Sequence, residues 1–158
     1  MVKERTLHSV YDVCTAEGSF LPQAKIDVDL ITTITTTAMN DFAAAKVLRT
    51  QAKPESTHWN SIFKLHYDVF HQLAEALVYF DSMKVKTHEC LFVYLCQKYP
   101  ELEFSWEFLE QLRIKRNRSI YYGEPMKYVD WKSIEFQLQL YINALYKMIQ
   151  ERISAKGY

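Results

Sequence analysis

The residues best suited to chemistry form a basic cluster late in the chain. Four cations lie within six positions, namely Arg113, Lys115, Arg116 and Arg118. Arginine presents a planar fork of donors that matches a phosphate group, so the cluster is a candidate anion site. The same cations would also stabilise the carboxyl end of a helix by opposing its dipole. The residue types alone leave both interpretations open.

The residues that follow the cations extend this candidate site. Asn117, Tyr121 and Tyr122 come next, and tyrosine rings can stack on nucleic-acid bases or pack inside a helical protein. On an ideal helix, Asn117 and Tyr121 share a face, whereas Arg116 and Tyr121 are about 140° apart. A joint site of Arg116 and Tyr121 therefore requires long side chains, a frayed last turn or two subunits.

Histidine and carboxylate residues offer fewer candidates. His71 and Glu75 lie one helical turn apart and could form an acid–base pair, although a partly buried histidine with an ordinary hydrogen bond is the simpler interpretation. No H-E-x-x-H motif and no zinc-like grouping of histidine and cysteine occurs. We expect no metal site and no cofactor.

Composition narrows the fold class. The chain has 158 residues, of which 49% are hydrophobic, but only three glycines and four prolines. Turn-rich β folds and glycine-rich nucleotide loops are therefore disfavoured, and neither G-x-x-x-x-G-K-[ST] nor G-x-G-x-x-G is present. Nineteen basic residues balance nineteen acidic ones, so only a local patch could attract a polyanion.

The cysteines and the apolar runs suggest a compartment. Cys14, Cys90 and Cys96 are odd in number and lack paired spacing, which predicts free thiols in a reducing environment. Residues 1–20 contain no signal-peptide core, and no apolar run is long enough to cross a membrane. We expect a cytoplasmic protein without membrane contact.

Apolar residues at spacings of three and four predict a series of helices separated by the prolines. The predicted helices cover 25–52, 57–83, 87–99, 105–122 and 131–153. Their predicted N-caps are Ser56 or Thr57, Thr87, Ser105 and Asp130, and Gly123 is the predicted stop of the fourth helix. Long helices with short connections predict an all-α, up-and-down bundle of four to five helices over residues 23–158. Residues 1–22 fit no strong pattern and are interpreted as an N-terminal arm, and residues 154–158 should fray.

This arrangement resembles the HEPN superfamily of small helical bundles. The resemblance rests on residues 116–123, which read RNRSIYYG, on the preceding KTHE turn at 86–89 and on the aromatic-rich second helix. It covers roughly residues 25–153, and the order of these short motifs carries its specificity. Arg116 matches the family's motif arginine and Asn117 the polar residue after it. Tyr121 stands where the family has a histidine.

The resemblance implies a homodimer whose motif helices meet near a shared cleft. Many members are metal-independent ribonucleases, often toxins paired with a minimal nucleotidyltransferase, and others bind nucleotide or RNA without cleaving it. Tyrosine is a poor base at neutral pH, so the departure at Tyr121 favours binding without cleavage. The predicted binding residues are Arg113, Lys115, Arg116, Asn117, Arg118, Tyr121 and Tyr122.

Two alternatives stay open at the level of sequence. The first is a ribonuclease in which Arg116 and Tyr121 are catalytic and His71 or another histidine supplies the base across the dimer. The second is a protein-interaction bundle without any role in nucleic-acid binding, in which the basic cluster only caps a helix.

Overall fold

The structure is a computed structural model that describes residues 5–157, and it confirms the all-α class. Within that range six α-helices accompany one short 3-10 turn at Pro100–Leu102 and a two-stranded antiparallel ribbon. The helices are α1 Leu7–Ala16, α2 Val28–Gln51, α3 Trp59–Tyr79, α4 His88–Lys98, α5 Trp106–Tyr121 and α6 Tyr128–Ala155. The strands are β1 Phe20–Pro22 and β2 Met83–Val85.

Helix α3 lies at the centre of the bundle. It packs against α2, α6, α4 and α5, and its side chains Phe63, Phe70, Leu73 and Leu77 are wholly inaccessible to solvent. The wide apolar stripe of this segment predicts burial on more than one side, and the structure confirms it. Helix α4 is also buried on several sides, between α1, α3 and α5, whereas α2 packs mainly against α3.

Helix α2 is continuous through its run of threonines. Asp27 caps it by accepting a hydrogen bond from the Leu30 N–H at 3.0 Å. Inside the helix, the buried Thr35 hydroxyl donates to the Ile31 carbonyl at 2.7 Å, so its polar atom is satisfied where it packs. Packing against α3 therefore outweighs the low helix propensity of β-branched residues.

The predicted helix ends agree with the structure in part. Thr87 and Ser105 cap α4 and α5 by accepting from the backbone N–H groups of Cys90 and Phe108. Gly123 follows α5 with a φ of +64°, a conformation that costs glycine little because it lacks a Cβ. The Arg118 carbonyl there accepts from the N–H groups of both Tyr122 and Glu124.

Two predicted caps are wrong. The N-cap position of α3 is occupied by His58 and not by Ser56 or Thr57. The Ser56 hydroxyl instead accepts a hydrogen bond from the Lys53 N–H within the preceding turn. Asp130 lies inside the first turn of α6, which begins earlier than predicted. Asp130 is the third residue of α6, and its carboxylate accepts a hydrogen bond of 3.1 Å from the N–H of Lys127, the N-cap residue. This bond stabilises the start of the helix.

The predicted N-terminal arm contains an ordered helix and a strand that the sequence did not indicate. Thr6 and Ser9 form a reciprocal capping box at the start of α1, and Val10 packs into the core. Strand β1 then pairs with β2, with Phe20 opposite Val85.

At the other end of the chain, α6 continues to Ala155, beyond the predicted end at 153. Residues 1–4 and 158 of the predicted arm and tail lie outside the described range.

The prediction of three free thiols is wrong for two of them. Cys14 of α1 and Cys90 of α4 form a disulfide that joins residues 76 positions apart, and both are buried. Spacing along the chain could not show this pair, because only the packing of α1 on α4 brings the two residues together. Cys96 is a free thiol, and burial, followed by the charge of Glu107, raises its pKa to about 12.

Between residues 5 and 157, no helix is both long enough and apolar enough to cross a lipid bilayer.

The central position of α3 generates a stability prediction. We expect Leu73→Ala to lower the free energy of unfolding by about 2–5 kcal/mol, because a fully buried leucine leaves a cavity when truncated. The control Leu30→Ala removes the same atoms from a leucine that is 44% exposed on α2 and should change stability by less than about 0.5 kcal/mol. Urea unfolding measures both values, and equal losses would contradict the assignment of α3 as the core helix.

Candidate functional site

The predicted basic cluster lies on the carboxyl-terminal half of α5, where this helix packs against α3 and α4. Its cations have different environments. Arg113 is 19% exposed, and its guanidinium contacts Glu110 at 2.7 Å and Glu89 at 2.9 Å. The hydrogen bond with Glu110 is the main cause that raises the pKa of Arg113. Arg113 therefore joins α5 to the start of α4, and its charge is already compensated.

Arg5 completes this arrangement from the N-terminal segment. Its guanidinium contacts Glu89 at 2.7 Å and Glu110 at 3.4 Å, the same two carboxylates that hold Arg113. We call Arg5, Glu89, Glu110 and Arg113 the ion cluster. It contains two positive and two negative side chains, so its formal charge is zero.

Arg116 has a different surrounding from Arg113. Its side chain is half-buried, and the Cζ atom lies 5.4 Å from the centre of the Tyr67 ring, in the geometry of a cation–π contact. No salt bridge joins Arg116 to a carboxylate within residues 5–157. The cation therefore rests on an aromatic surface and retains its capacity to bind an anion.

Two histidines continue the site beyond Tyr67. The Tyr67 hydroxyl is 2.9 Å from Nδ1 of His88, and the His88 ring stacks on His71 with 3.8 Å between ring centres. Nε2 of His71 is in turn 3.6 Å from the Glu75 carboxylate, which makes the pair that the sequence suggested. We call Tyr67, His71, His88 and Arg116 the Arg116 site.

The local structure explains this arrangement. Tyr67, His71 and Glu75 follow one another at intervals of four on α3, so they occupy one face of that helix. His88 is the first residue of α4, and the Thr87 cap fixes where this helix begins. Arg116 comes from α5, so three helices build the site.

Burial keeps both imidazoles neutral. It is the main cause that lowers the pKa of His71 to about 3, with further contributions from His88 and Arg116. It also lowers the pKa of His88 to about 4, together with the charges of Arg116 and Arg113. Burial raises the pKa of the Tyr67 hydroxyl, which therefore stays protonated. At neutral pH, Arg116 is the one charged member of the Arg116 site.

The remaining predicted residues lie around the end of α5. Lys115 and Arg118 line a shallow cleft of about 140 Å³ together with Glu124, Met126 and Asp130. Asn117 is half-buried. Tyr121 and Tyr122 are 71% and 75% exposed, so they do not pack into the core of this chain. The ring beneath Arg116 belongs to Tyr67 and not to Tyr121.

Sequence reasoning missed Tyr67 and included His88 only as part of the KTHE turn at 86–89. The periodic series of Tyr67, His71 and Glu75 is a signal that could have indicated a polar face on a buried helix. Nothing in the spacing could have shown that Arg116 would contact that face. Across the described part of the chain, no group of three or more histidine, cysteine or acidic side chains is arranged to hold a metal ion.

The chain was compared with protein-family models, with curated proteins and with solved structures, and none of them matches it.

The buried histidines generate a prediction about acid stability. Their pKa values in the folded protein lie below the value of about 6.5 for a free imidazole, so the unfolded chain binds more protons between those limits. Stability should therefore fall as the pH drops from about 6.5 towards 4. We expect the double variant His71→Asn/His88→Asn to show a shallower fall than the wild type.

Urea unfolding at pH 7.5, 6.5, 5.5 and 4.5 measures this slope. His8→Asn is the matched control, because the His8 side chain is 78% exposed, and it should keep the wild-type slope. The buried His66, whose pKa burial also lowers, contributes equally to all three proteins. Equal slopes in the double variant and the wild type would show that His71 and His88 are not buried as neutral groups.

Proposed function

We propose that this chain is a HEPN-like protein that binds a phosphate group of a nucleotide or RNA at Arg116. The observation that supports the proposal most strongly is the surrounding of this one side chain. Its guanidinium lies on the Tyr67 ring without a carboxylate partner, while Arg113 three residues earlier is held by two carboxylates.

The electrostatics of the site suit an anion. A half-buried cation on an aromatic ring is less screened by water than a fully exposed one, so its attraction for a phosphate is stronger. The neutral rings of His71 and His88 add no competing negative charge and carry N–H groups that can donate to a phosphate oxygen. The charge of Arg116 also acts on Asp68, where it partly offsets the rise that burial causes in the pKa of this carboxyl.

The surroundings of the site suit a nucleic acid. Lys115 and Arg118 add two cations near Arg116 on α5, and they share a cleft with the carboxylates of Glu124 and Asp130. Tyr121 and Tyr122 expose most of their rings at the end of the same helix, where bases could stack on them. The proposed ligand is therefore a single-stranded RNA or a nucleotide whose phosphate contacts Arg116 and whose base contacts a tyrosine.

The proposal includes the assembly that the HEPN resemblance implies. In this assembly two copies of the chain form a homodimer, and the homodimer acts with a nucleotidyltransferase as a toxin–antitoxin or defence pair. Val129, Phe136 and Leu140 support a second copy, because these apolar side chains are more than half exposed on α6. Light scattering of the purified chain measures its molar mass and so distinguishes a dimer from a monomer.

The binding proposal predicts the effect of removing the guanidinium. We expect Arg116→Ala to weaken binding of a fluorescent single-stranded RNA about tenfold or more, since a hydrogen bond to a charged group contributes about 1.5–3 kcal/mol. Arg116→Lys keeps the charge but loses the planar fork, and it should bind with intermediate affinity. Fluorescence anisotropy at fixed salt measures all three proteins.

Lys147→Ala provides the control, because it removes an exposed cation from α6, outside the Arg116 site. It should leave the affinity within about twofold of the wild type. If Arg116→Ala binds as tightly as Lys147→Ala, then Arg116 is not the anion ligand and the proposal fails.

Metal-independent RNA cleavage is a second candidate, and the position of the histidines favours it. Cleavage requires one group to accept the proton of the 2′-hydroxyl and another to protonate the leaving oxygen. His71 and His88 lie beside Tyr67, the ring that Arg116 contacts, and all four residues belong to the same chain. Either histidine could therefore replace the motif histidine as the base without a contribution from a second subunit. A bound phosphodiester would raise both pKa values, because its negative charge favours the imidazolium form.

An assay in EDTA tests this second candidate. If the wild type cleaves RNA, we expect the variants Arg116→Ala and His88→Asn to lose this activity. Tyr121→Phe should keep it, because phenylalanine retains the exposed aromatic ring and loses only the hydroxyl. Loss of activity in Tyr121→Phe alone would assign the chemistry to the motif position instead. If the wild type binds RNA without cleaving it, binding is the function.

A further inference from the structure

We propose that the Cys14–Cys90 disulfide is a redox-controlled clamp that keeps Arg5 on the ion cluster and thereby strengthens anion binding at Arg116. This inference rests on the proposed anion site and adds a regulatory element to it. Reduction of the disulfide would release α1, withdraw Arg5 and weaken the site.

The position of the disulfide supports this role. Cys14 lies in the last turn of α1, and Cys90 lies in the first turn of α4, two residues after His88. The Cys90 N–H donates to the Thr87 cap at 3.1 Å, so the disulfide is attached to the turn that positions His88. A covalent link at this point fixes α1 directly beside the Arg116 site.

Non-covalent contacts also hold the N-terminal segment, since Leu7, Tyr11 and Phe20 are partly buried against the core. Helix α1 has ten residues and buries only Val10 and Cys14. A helix of that length is marginal without support from its surroundings. The ribbon that follows it is three residues long in each strand. The disulfide adds a covalent link between residues 76 positions apart, so its reduction makes separation of α1 from α4 less costly.

The charge that α1 brings is the link to the site. Arg5 directly precedes the Thr6 cap of α1 and bonds to Glu89 and Glu110. With Arg5 in place the ion cluster is neutral, and without it the cluster carries one net negative charge. That charge would lie next to Arg113 and His88, so it would oppose the approach of an anion to Arg116.

The redox step balances with a dithiol as the reductant. One thiolate of the dithiol attacks a sulfur of the disulfide and forms a mixed disulfide, and its second thiol then closes the reductant's own disulfide. Two electrons and two protons pass to the protein, which leaves one thiol on Cys14 and one on Cys90. Both sulfurs are buried, so α1 must open locally before the attack, and reduction should be slow.

The test uses the full chain in its oxidised form, in its reduced form and as Cys14→Ser. Amide hydrogen exchange of residues 7–16 reports release of α1, and an NMR titration of the His88 ring reports the local charge. We expect both reduction and Cys14→Ser to accelerate exchange and to raise the pKa of His88, because a nearby cation is withdrawn. Affinity for fluorescent single-stranded RNA should fall about two- to fivefold, since the Arg5 ion pairs are partly exposed.

Two variants separate the steps of the inference. Arg5→Ala should reproduce the change at His88 and the weaker RNA binding while the disulfide stays intact. Cys96→Ser removes the free thiol and should behave as the wild type in every measurement. If Cys14→Ser does not fold, chemical reduction of the wild type gives the same comparison.

The outcomes distinguish the clamp from the proposed function. Unchanged exchange after reduction overturns the clamp, and faster exchange with an unchanged His88 titration overturns its link to the site. If the oxidised protein does not bind RNA through Arg116, the proposed function fails, and the link to anion binding fails with it. The exchange and titration measurements still decide whether reduction releases α1 and changes the charge near His88.

Discussion

Helix α3 is buried on several sides, and the other helices must therefore be placed so that they cover it. A helix with apolar residues around most of its circumference is stable only when other helices cover it. Helices α2, α4, α5 and α6 provide that cover, and α4 is itself buried on several sides because α1 and α5 also pack against it. The arrangement of α2 and α6 depends most on α3, since their main contacts are with that helix.

The same constraint explains the chemistry of the Arg116 site. Tyr67 and His71 are polar residues on a helix that the fold buries, so their rings lose water when α4 and α5 pack over them. Desolvation opposes charge on each ring and leaves Arg116 as the charged group. Burying polar groups costs free energy unless they find partners, and the Tyr67–His88 hydrogen bond and the His71–Glu75 contact supply them. Such a cost at a cluster of titratable groups is typical of functional sites.

Arg113 and Arg116 show how packing assigns different roles to similar residues. The two arginines are one turn apart on α5, yet Arg113 faces the carboxylates of the ion cluster and Arg116 faces the ring of Tyr67. The ion pairs of Arg113 correspond to neither interpretation of the basic cluster, which were stabilisation of the helix end and anion binding. Arg113 has the structural role, in the form of ion pairs between helices, while the surroundings of Arg116 suit an anion.

Periodicity and local hydrogen bonds in the sequence account for the helical class, the extents of α4 and α5, the caps at Thr87 and Ser105 and the stop at Gly123. They did not show α1, and the predicted second helix continued to Met83, which belongs to β2. The sequence also indicated the basic cluster and the His71–Glu75 pair, which lie within one or two turns. The packing of the helices brings together Cys14 and Cys90, Tyr67 and His88, and Arg116 and Tyr67. These contacts join segments far apart in the chain, and their geometry follows from how the helices pack, which local spacing does not encode.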